Sequence, residues 1–360
     1  EENWIMLWET NRGCPFSCSF CDWGSLVQAK VLNFSIDRLY SEIDWMSEKK
    51  IEYVYCCDAN YGILPRDIEL TQKTCSNKRE FGYPIKMGVQ NTKNSTERAY
   101  TTQKLLNEGG LSTGVDLALQ SLNTETLKAI KRDNISLETY EILQKRFTQD
   151  GIMTFTDLIF ALPGETYETF ADGVSQIIKN GQHNRIQFNP LAILPNAEMG
   201  STDYQELHQL KTIEARNYNM HGGNDDIKDG IFEMQSLVVE TKTLSREMWR
   251  QGRVFSWLTS MLHFNKLLQI PFLVIHSEEN ITFRDIIEAF MFGLTDKCVL
   301  LKKIKASLEE HAQVVQDGGP EFVFSPEYLE LYWPIDELWL IKLVIEDNLD
   351  QFYVEALETL

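Results

Sequence analysis

Three cysteines near the start of the chain carry the clearest chemical signal in the sequence. Cys14, Cys18 and Cys21 follow the pattern C-x3-C-x2-C, and the aromatic Phe20 stands directly before the third cysteine. Thiolates select zinc or iron–sulfur centres rather than hard cations. A cubane iron–sulfur cluster is normally held by four cysteines, so a trio would leave one iron free to bind another molecule. A structural zinc ion would require a fourth cysteine or histidine, and none follows the motif closely.

This spacing resembles that of the radical S-adenosylmethionine (radical SAM) superfamily. The resemblance implies a [4Fe-4S] cluster ligated by Cys14, Cys18 and Cys21, whose open iron chelates the amino and carboxylate groups of S-adenosylmethionine. Phe20 would pack near the adenine. In such enzymes an electron from the cluster cleaves the sulfonium, and the 5′-deoxyadenosyl radical takes a hydrogen atom from the substrate. The alternative is a protein of another class, in which a cysteine cluster on a loop binds zinc or senses redox state.

The elements that must position this motif alternate regularly. Strand-like and helix-like patterns follow one another about six times in the first 190 residues, which indicates parallel strands joined by crossover helices. The sequence therefore predicts an α/β fold, a partial (β/α)6 barrel over residues 1–195. We expect a mainly helical C-terminal domain over residues 196–360 to cover the barrel opening. The segment from Pro326 to the end is also predicted to be helical. Ligands of such folds bind at the carboxyl ends of the strands, and the cysteine motif follows the first predicted strand.

Polar residues follow the second and third predicted strands. Asp58, Ala59 and Asn60 stand where the superfamily often has Gly-Gly-Glu, so the resemblance implies that they bind the methionyl amino group of the cofactor. The alternative for this tripeptide is a turn that caps the next helix. Gln90 ends the third strand, where the family often has glutamate, and the resemblance makes it a candidate contact of the same cofactor.

A second set of residues resembles the oxygen-independent coproporphyrinogen dehydrogenases. Gln120 and Ser121 end the fourth predicted strand, Arg132 follows the next helical turn, and Asp157 lies in the fifth strand. The resemblance implies that Gln120 and Asp157 hold the ribose and amino groups of S-adenosylmethionine. It assigns the cofactor's carboxylate to Arg132, because arginine forks onto carboxylates. Asn189, after the sixth strand, would contact the adenine through its backbone. The alternative for Arg132 is a solvated arginine, and the alternative for Asn189 is a simple turn.

The remaining cysteines and the histidines give weaker signals. Cys56 and Cys57 alternate across a predicted strand, so one of them could face the barrel cavity, although both are more typical of small buried hydrophobic residues. The six histidines show no close pairing, and we expect no second metal site. Seven cysteines, three of them in the motif, are typical of a reduced cytoplasmic chain.

Charge and hydropathy exclude several classes of partner. The formal net charge is −19, which argues against nucleic acid or an anionic membrane as a bulk partner, because both are bound through basic patches. No run of about 18 apolar residues is present, so the sequence predicts no membrane span. Residue 1 is glutamate and the cysteine motif begins almost at once, so we expect a further N-terminal part beyond this sequence.

Three longer segments narrow the resemblance within the superfamily. "RGCPFSCSFC", "CDANYG" and "LPGETYETF" are together most similar to the enzymes that carry an N-terminal cobalamin-binding domain. This resemblance implies methyl transfer to a small molecule in natural-product or cofactor biosynthesis, with cobalamin bound upstream and a flavodoxin or ferredoxin as electron donor. The alternative within the superfamily is dehydrogenation, cyclisation or rearrangement without cobalamin. The sequence identifies neither the substrate nor a catalytic acid or base.

Overall fold

The computed structural model describes residues 4–24, 30–92, 97–223, 230 and 232–360. Of the predicted loop over residues 221–230, positions 224–229 lie outside the described residues. The first eight strands in chain order are β1 (Ile5–Trp8), β2 (Asn11–Arg12), β3 (Leu32–Asn33), β4 (Tyr53–Tyr61), β5 (Lys86–Asn91), β6 (Val115–Asp116), β7 (Thr154–Phe160) and β8 (Ile186–Pro190).

Six of these strands form the predicted partial barrel. One parallel sheet has the order β1-β4-β5 and a second has the order β6-β7-β8. The connecting helices are α1 (Ile36–Glu48), α2 (Arg66–Phe81), α3 (Glu97–Glu108), α4 (Thr124–Ala129), α5 (Leu137–Gln149) and α6 (Tyr167–Lys179). The alternating α/β architecture is therefore confirmed, with strand and helix in the expected order.

Local sequence explains where the best-defined helices begin. The Ser136 hydroxyl accepts a hydrogen bond from the Thr139 backbone N–H at the start of α5. Thr166 and Thr169 form a reciprocal capping box at the start of α6, and each satisfies a backbone donor that the helix leaves unpaired. The helix α6 then presents an almost continuous buried face, which packs on the sheet.

The barrel strands have one face toward the helices and one toward the barrel interior. In β7, Thr156, Leu158 and Phe160 are buried under the helices, whereas Asp157 and Ile159 occupy the opposite face. This is the two-residue periodicity of a strand. Asp157, the charged residue of this strand, therefore lies on the interior face.

The C-terminal half is mainly helical, with short strands added. It contains α7 (Thr202–His208), α8 (Arg246–Thr259), a π-helical turn (Ser260–Phe264), α9 (Gln269–Glu279), α10 (Phe283–Phe292), α11 (Val299–Gln316), α12 (Ile335–Ile345) and α13 (Leu349–Thr359). Its strands are β9 (Ala192–Ile193), β10 (Lys211–Arg216), β11 (Met234–Glu240), β12 (Val323–Ser325) and β13 (Leu331–Trp333).

One predicted helical segment is wrong in part. The chain is not helical directly after Pro326, because β12 and β13 form an antiparallel hairpin there. The rings of Phe324 and Tyr332 lie opposite each other with centroids 5.1 Å apart, and aromatic cross-strand pairs stabilise a hairpin. Pro334 ends this region, and the helix α12 begins at the next residue.

The hydrophobic core has two parts. The smaller cluster extends from Trp8 to Leu111 and holds α1 and α2 against the first sheet. The larger cluster begins at Val115 and continues to Ala356, so the second sheet and the C-terminal helices share one core. The core therefore shows no break at residue 195, and a division into two domains at that position stays a prediction.

No single helix of the described residues is both long and apolar enough to cross a membrane. One bent pair of helical segments, Arg246–Phe264 and Gln269–Glu279, meets the length and composition criteria, with a 95° bend between its members.

Candidate active site

The cysteine motif forms a loop that leaves the barrel between β2 and β3. These two strands pair antiparallel and make the stem of the loop. The Arg66 guanidinium closes the base of the stem, since it donates to the backbone oxygens of Thr10, at 2.6 Å, and Phe34. Gly24 lies where a Cβ atom would come within 2.2 Å of the Phe16 carbonyl oxygen. Only glycine allows the loop to fold back this closely.

Contacts to the other half of the barrel fix the middle of the loop. The Ser19 backbone N–H donates to the Ile130 carbonyl at 3.0 Å, and the Ser19 carbonyl accepts from the Met199 N–H at 2.8 Å. The hydroxyls of Ser19 and Tyr204 are 3.1 Å apart. The loop is thus held by the end of α4 and by the chain that follows β9.

The three cysteines are reduced and mostly shielded. Cys14 and Cys18 are 4% and 5% exposed, Cys21 is partly exposed, and none of them is in a disulfide. Among the described residues, no three histidine, cysteine or acidic side chains are placed to share a single metal ion. In a cubane each cysteine binds a different iron, so three thiolates on one loop suit a cluster without converging on one atom.

Two polar side chains contact the sulfur atoms. The Asn60 amide nitrogen lies 3.1 Å from the Cys14 sulfur, and Arg132 hydrogen-bonds to the Cys18 sulfur. Burial lowers the pKa of Arg132, and the nearby Cys18 thiolate raises it again. Hydrogen bonds and positive charge at the sulfurs stabilise thiolates and tune a cluster's reduction potential.

Arg132 is fixed by two further hydrogen bonds to its surroundings. It is 4% exposed, its Nε donates to the Asn134 side-chain oxygen at 2.8 Å, and its Nη2 donates to the Ala118 carbonyl. Asn134 in turn donates to the backbone oxygens of Leu119 and Ser121. The arginine is therefore a buried cation at the end of the fourth barrel strand, and the alternative of a solvated arginine is wrong.

The structure brings several predicted site residues to the barrel interior. Gln90 donates to the Tyr55 hydroxyl, and Gln187 donates to the side-chain oxygen of Asn189 at 3.2 Å. Gln120 lies beside Asp157, whose carbonyl accepts its backbone N–H at 2.9 Å. The Gln120 backbone has φ +65°, a conformation that costs a non-glycine residue energy and that often marks functional sites.

Unpartnered buried atoms test whether this interior fits the expected cofactor. The side-chain oxygens Asn60 Oδ1, Gln120 Oε1 and Asp157 Oδ1 are buried and make no hydrogen bond. Buried acceptors without a partner are rare in proteins. Three of them, close to a cysteine trio and a buried arginine, match a ligand that offers hydroxyl and amino donors, as S-adenosylmethionine does. The residues present therefore fit the cofactor that the cysteine motif implies.

Three other predicted residues have contacts within the protein. The Asp58 carboxylate accepts hydrogen bonds from the backbone and side chains of Thr10 and Asn11, which leaves it as a brace for the loop stem. The Ser121 hydroxyl donates to Glu165 at 2.7 Å. Phe20 packs against the larger hydrophobic core. Direct cofactor contacts by these three side chains stay predictions.

An acidic pair was missed by the sequence reasoning. Asp116 pairs with Phe155 on β7, and Asp157, two residues further along β7, therefore lies on the same face of the sheet. Burial, and then the charge of Asp157, raise the pKa of Asp116 well above the ordinary value. Burial also raises the pKa of Asp157, and Arg185, Asp116 and Arg132 oppose this rise. Of the two carboxyls, Asp116 is therefore the one whose protonated form is favoured more strongly. A period-two reading of the strand would have found this pair.

A small cavity opens beside the cysteine loop. Its volume is about 240 Å³, and its lining includes Glu9, Arg12, Cys57 and Ala59. Cys57 faces this space, whereas Cys56 is completely buried under the helices, as expected for neighbours on a strand. Ala59 is thereby placed next to the loop. Glu9 and Arg12 form an ion pair at 2.6 Å. They were not predicted as site residues, although they lie just before the first cysteine in the sequence.

A pH-dependent contribution to stability arises at Glu165. Burial raises the pKa of this carboxyl from 4.5 to about 8, and only the Ser121 hydroxyl opposes the shift. Because the folded state keeps the proton that the unfolded state loses, stability falls as pH rises from about 4.5 to about 8. Glu165→Gln is expected to remove this fall, so that its free energy of unfolding exceeds that of the wild type by on the order of a few kcal/mol at pH 8 and much less at pH 5.

Urea unfolding of both proteins at pH 5, 6.5 and 8 measures this difference. Glu125→Gln is the matched control, because Glu125 is largely exposed beside Lys128, and we expect it to change nothing at any of these pH values. A Glu165→Gln difference that stays constant across the three pH values would contradict the assignment.

Comparisons with known proteins agree with this geometry. Residues 8–176 match the model of the Radical SAM superfamily. The chain is 38% identical over 257 residues to the cobalamin-dependent radical SAM methyltransferase TokK of Streptomyces tokunonensis, an alignment that covers 71% of this chain and 37% of TokK. It is 37% identical, with the same coverage, to the 2-(S-pantetheinyl)-carbapenam-3-carboxylate methyltransferase of Streptantibioticus cattleyicolor. The chain thus spans little more than a third of the length of these two relatives.

A solved structure shares the fold. The radical S-adenosylmethionine methyltransferase TsrM from Kitasatospora setae, determined with cobalamin and a [4Fe-4S] cluster bound, superposes with a TM-score of 0.53 at 15% identity. The match covers 87% of this chain and 61% of TsrM. With the cysteine loop at the carboxyl end of the first barrel strand and the superfamily match over residues 8–176, the barrel of this chain is a radical SAM domain.

Proposed function

We propose that the protein is a radical SAM methyltransferase that uses cobalamin and acts on a small molecule in natural-product or cofactor biosynthesis. The observation that carries this proposal is the cysteine loop held against Arg132, at the barrel rim that also carries Gln120, Asp157 and Asn189. Support for methyl transfer comes from the two relatives at 37% and 38% identity, both of which are named methyltransferases.

The residues of this chain would bind and orient the reacting groups. Cys14, Cys18 and Cys21 would ligate three irons of a [4Fe-4S] cluster, and the unpartnered oxygens of Gln120 and Asp157 would accept donors of S-adenosylmethionine. Together the bound cluster and cofactor supply hydrogen-atom abstraction, and cobalamin supplies methyl transfer.

Two neighbouring groups would set the charge of this site. Arg132 balances thiolate charge at the loop. The raised pKa of Asp116 favours a single negative charge on the acidic pair, which would attract a cofactor carrying an ammonium and a sulfonium.

The proposal extends to an electron donor and a compartment. A cluster of this type needs one electron from outside, and we assign this role to a reduced flavodoxin or ferredoxin. All seven cysteines are free of disulfides, as expected in a reducing compartment such as the cytoplasm.

The test uses the full-length natural protein, purified and reconstituted without oxygen. It is incubated with a reductant, S-adenosylmethionine labelled in its methyl group, and candidate metabolites from the genomic neighbourhood. We expect cobalamin absorbance, 5′-deoxyadenosine and transfer of the label to a metabolite. Formation of 5′-deoxyadenosine without cobalamin or label transfer would instead support dehydrogenation, cyclisation or rearrangement. A protein that takes up zinc and never cleaves S-adenosylmethionine would overturn the proposal.

A further inference from the structure

A second cavity lies outside the cysteine site, between the barrel and the C-terminal helices. It has a volume of about 250 Å³. One wall consists of the seven consecutive residues 184–190, which include all of β8. Successive side chains of a strand point to opposite faces, so a cavity that touches all seven must run along the edge of the strand.

This edge of β8 is open. The strand pairs with β7 on one side only and is the last strand of its sheet among the described residues. In a parallel ladder, alternate residues direct their backbone N–H and C=O groups to each neighbour. The groups that do not bond to β7 therefore face the cavity. An open strand edge is a template for another chain of amide groups.

The opposite wall contains a buried ion pair with unused hydrogen-bonding capacity. Arg253 on α8 bonds Glu321 through its Nη2 and Oε1 atoms, and the two side chains are only 2% and 17% exposed. The Arg253 Nε donor and the Glu321 Oε2 acceptor are both buried and have no partner. Both residues line the cavity, so an unused donor and an unused acceptor belong to one buried pair at its wall.

The remaining wall includes the aromatic side chain of Trp257 and the polar side chains of Asn265 and Asp336, and it has little net charge. The Trp257 ring lies under the Arg253 guanidinium, 4.6 Å from ring centroid to carbon. Asp336 is buried and accepts a hydrogen bond from the Asn265 amide at 3.3 Å. Burial raises the pKa of Asp336 to about 7. A strongly charged ligand gains little here, because the one buried cation is already paired, whereas a neutral group with one donor and one acceptor satisfies both orphan atoms.

We propose that this cavity binds an amide-bearing segment of a small organic molecule, with one amide on the Arg253–Glu321 pair and the segment extended along the open edge of β8. The seven lining residues span about 20 Å at strand spacing, and Asn189, near one end of this wall, lies on the same face of the sheet as Asp157. This inference rests on the proposed function for the identity of the ligand, which is then the non-reacting arm of the substrate. Binding energy from such an arm can be used to orient the reacting end.

The experiment measures binding at Trp257 in the purified full-length natural protein, with the cluster and cofactor that it carries. The protein is labelled with 5-fluorotryptophan, and the Trp257 resonance is assigned with Trp257→Phe. The probe is N-acetylglycine N-methylamide, a neutral molecule with two secondary amides. Its matched analogue is methyl acetoxyacetate, which has the same shape and acceptors but no N–H donors. We expect a saturable shift of the Trp257 resonance with the diamide, at a Kd on the order of millimolar for a ligand of this size, and none with the diester.

Variants test the assignment of the ion pair. Glu321→Gln keeps the size of the side chain and removes the acceptor charge, and we expect about tenfold weaker diamide binding. Arg250→Met is the control, because Arg250 lies on the same helix but bonds Gln316 at 2.6 Å instead of lining the cavity; its affinity should equal that of the wild type. An absent shift, an equal shift with the diester, or unchanged affinity in a folded Glu321→Gln variant would overturn the inference. None of these outcomes bears on the cobalamin and label-transfer test of the proposed function.

Discussion

Cys18→Ala is expected to abolish the iron–sulfur cluster while the barrel stays folded. The wild-type protein should bind about four irons per chain after anaerobic reconstitution, as a [4Fe-4S] cluster requires, and the variant should bind almost none. Two remaining thiolates would leave two irons without a protein ligand. The fold should persist because the loop is held independently by Arg66 at its stem and by Ser19 at its centre, so the stability cost should be near the typical 1 kcal/mol.

Iron analysis, visible absorbance and far-ultraviolet circular dichroism of the same samples measure these outcomes. Cys298→Ala is the matched control, since Cys298 is also fully buried but lies near Thr359 in the C-terminal half, with sulfur and hydroxyl oxygen 3.6 Å apart. It should retain all the iron. Full iron content in Cys18→Ala would show that the sulfur is not a ligand, and complete unfolding would show that the residue mainly supports the fold.

The barrel was predictable from sequence because its signals are local. Ser136 and Thr166 are residue types that cap helices, and they stand at the starts of α5 and α6. Apolar runs mark the strands. The fourth predicted strand, residues 113–120, is regular only at Val115 and Asp116. The positive φ of Gln120 turns the chain at the end of this segment. Such a backbone angle cannot be predicted from the alternation of apolar and polar residues.

Contacts between distant positions were the part that sequence could not provide. Arg253 and Glu321 are 68 residues apart, and no periodicity links an α8 arginine to a glutamate just before a hairpin. Similarly, the position of Asp58 after a predicted strand does not reveal that its carboxylate accepts hydrogen bonds from Thr10 and Asn11, which come from a different part of the chain. Which polar group is already satisfied depends on the tertiary structure.

Arg132→Met is expected to change two measurable properties of the reconstituted protein. The affinity for S-adenosylmethionine should fall about 10-fold to 100-fold, because a charge-assisted hydrogen bond contributes roughly 1.5–3 kcal/mol. The reduction potential of the cluster should become more negative, because the cation that hydrogen-bonds Cys18 is lost. Equilibrium binding and a redox titration followed by electron paramagnetic resonance measure the two effects. Arg146→Met is the control, since Arg146 bonds Glu97 at the protein surface, and neither property should change.

Arg132→Lys separates the charge of this residue from its shape. Lysine keeps the positive charge near Cys18 but cannot fork onto a carboxylate or reach both the Ala118 carbonyl and the Asn134 side chain. We therefore expect a reduction potential close to that of the wild type together with weakened cofactor binding. If lysine restored both properties, a general electrostatic effect would suffice. If methionine changed neither, Arg132 would only brace the backbone between the fourth strand and α5, and the cofactor's carboxylate would bind elsewhere on the rim.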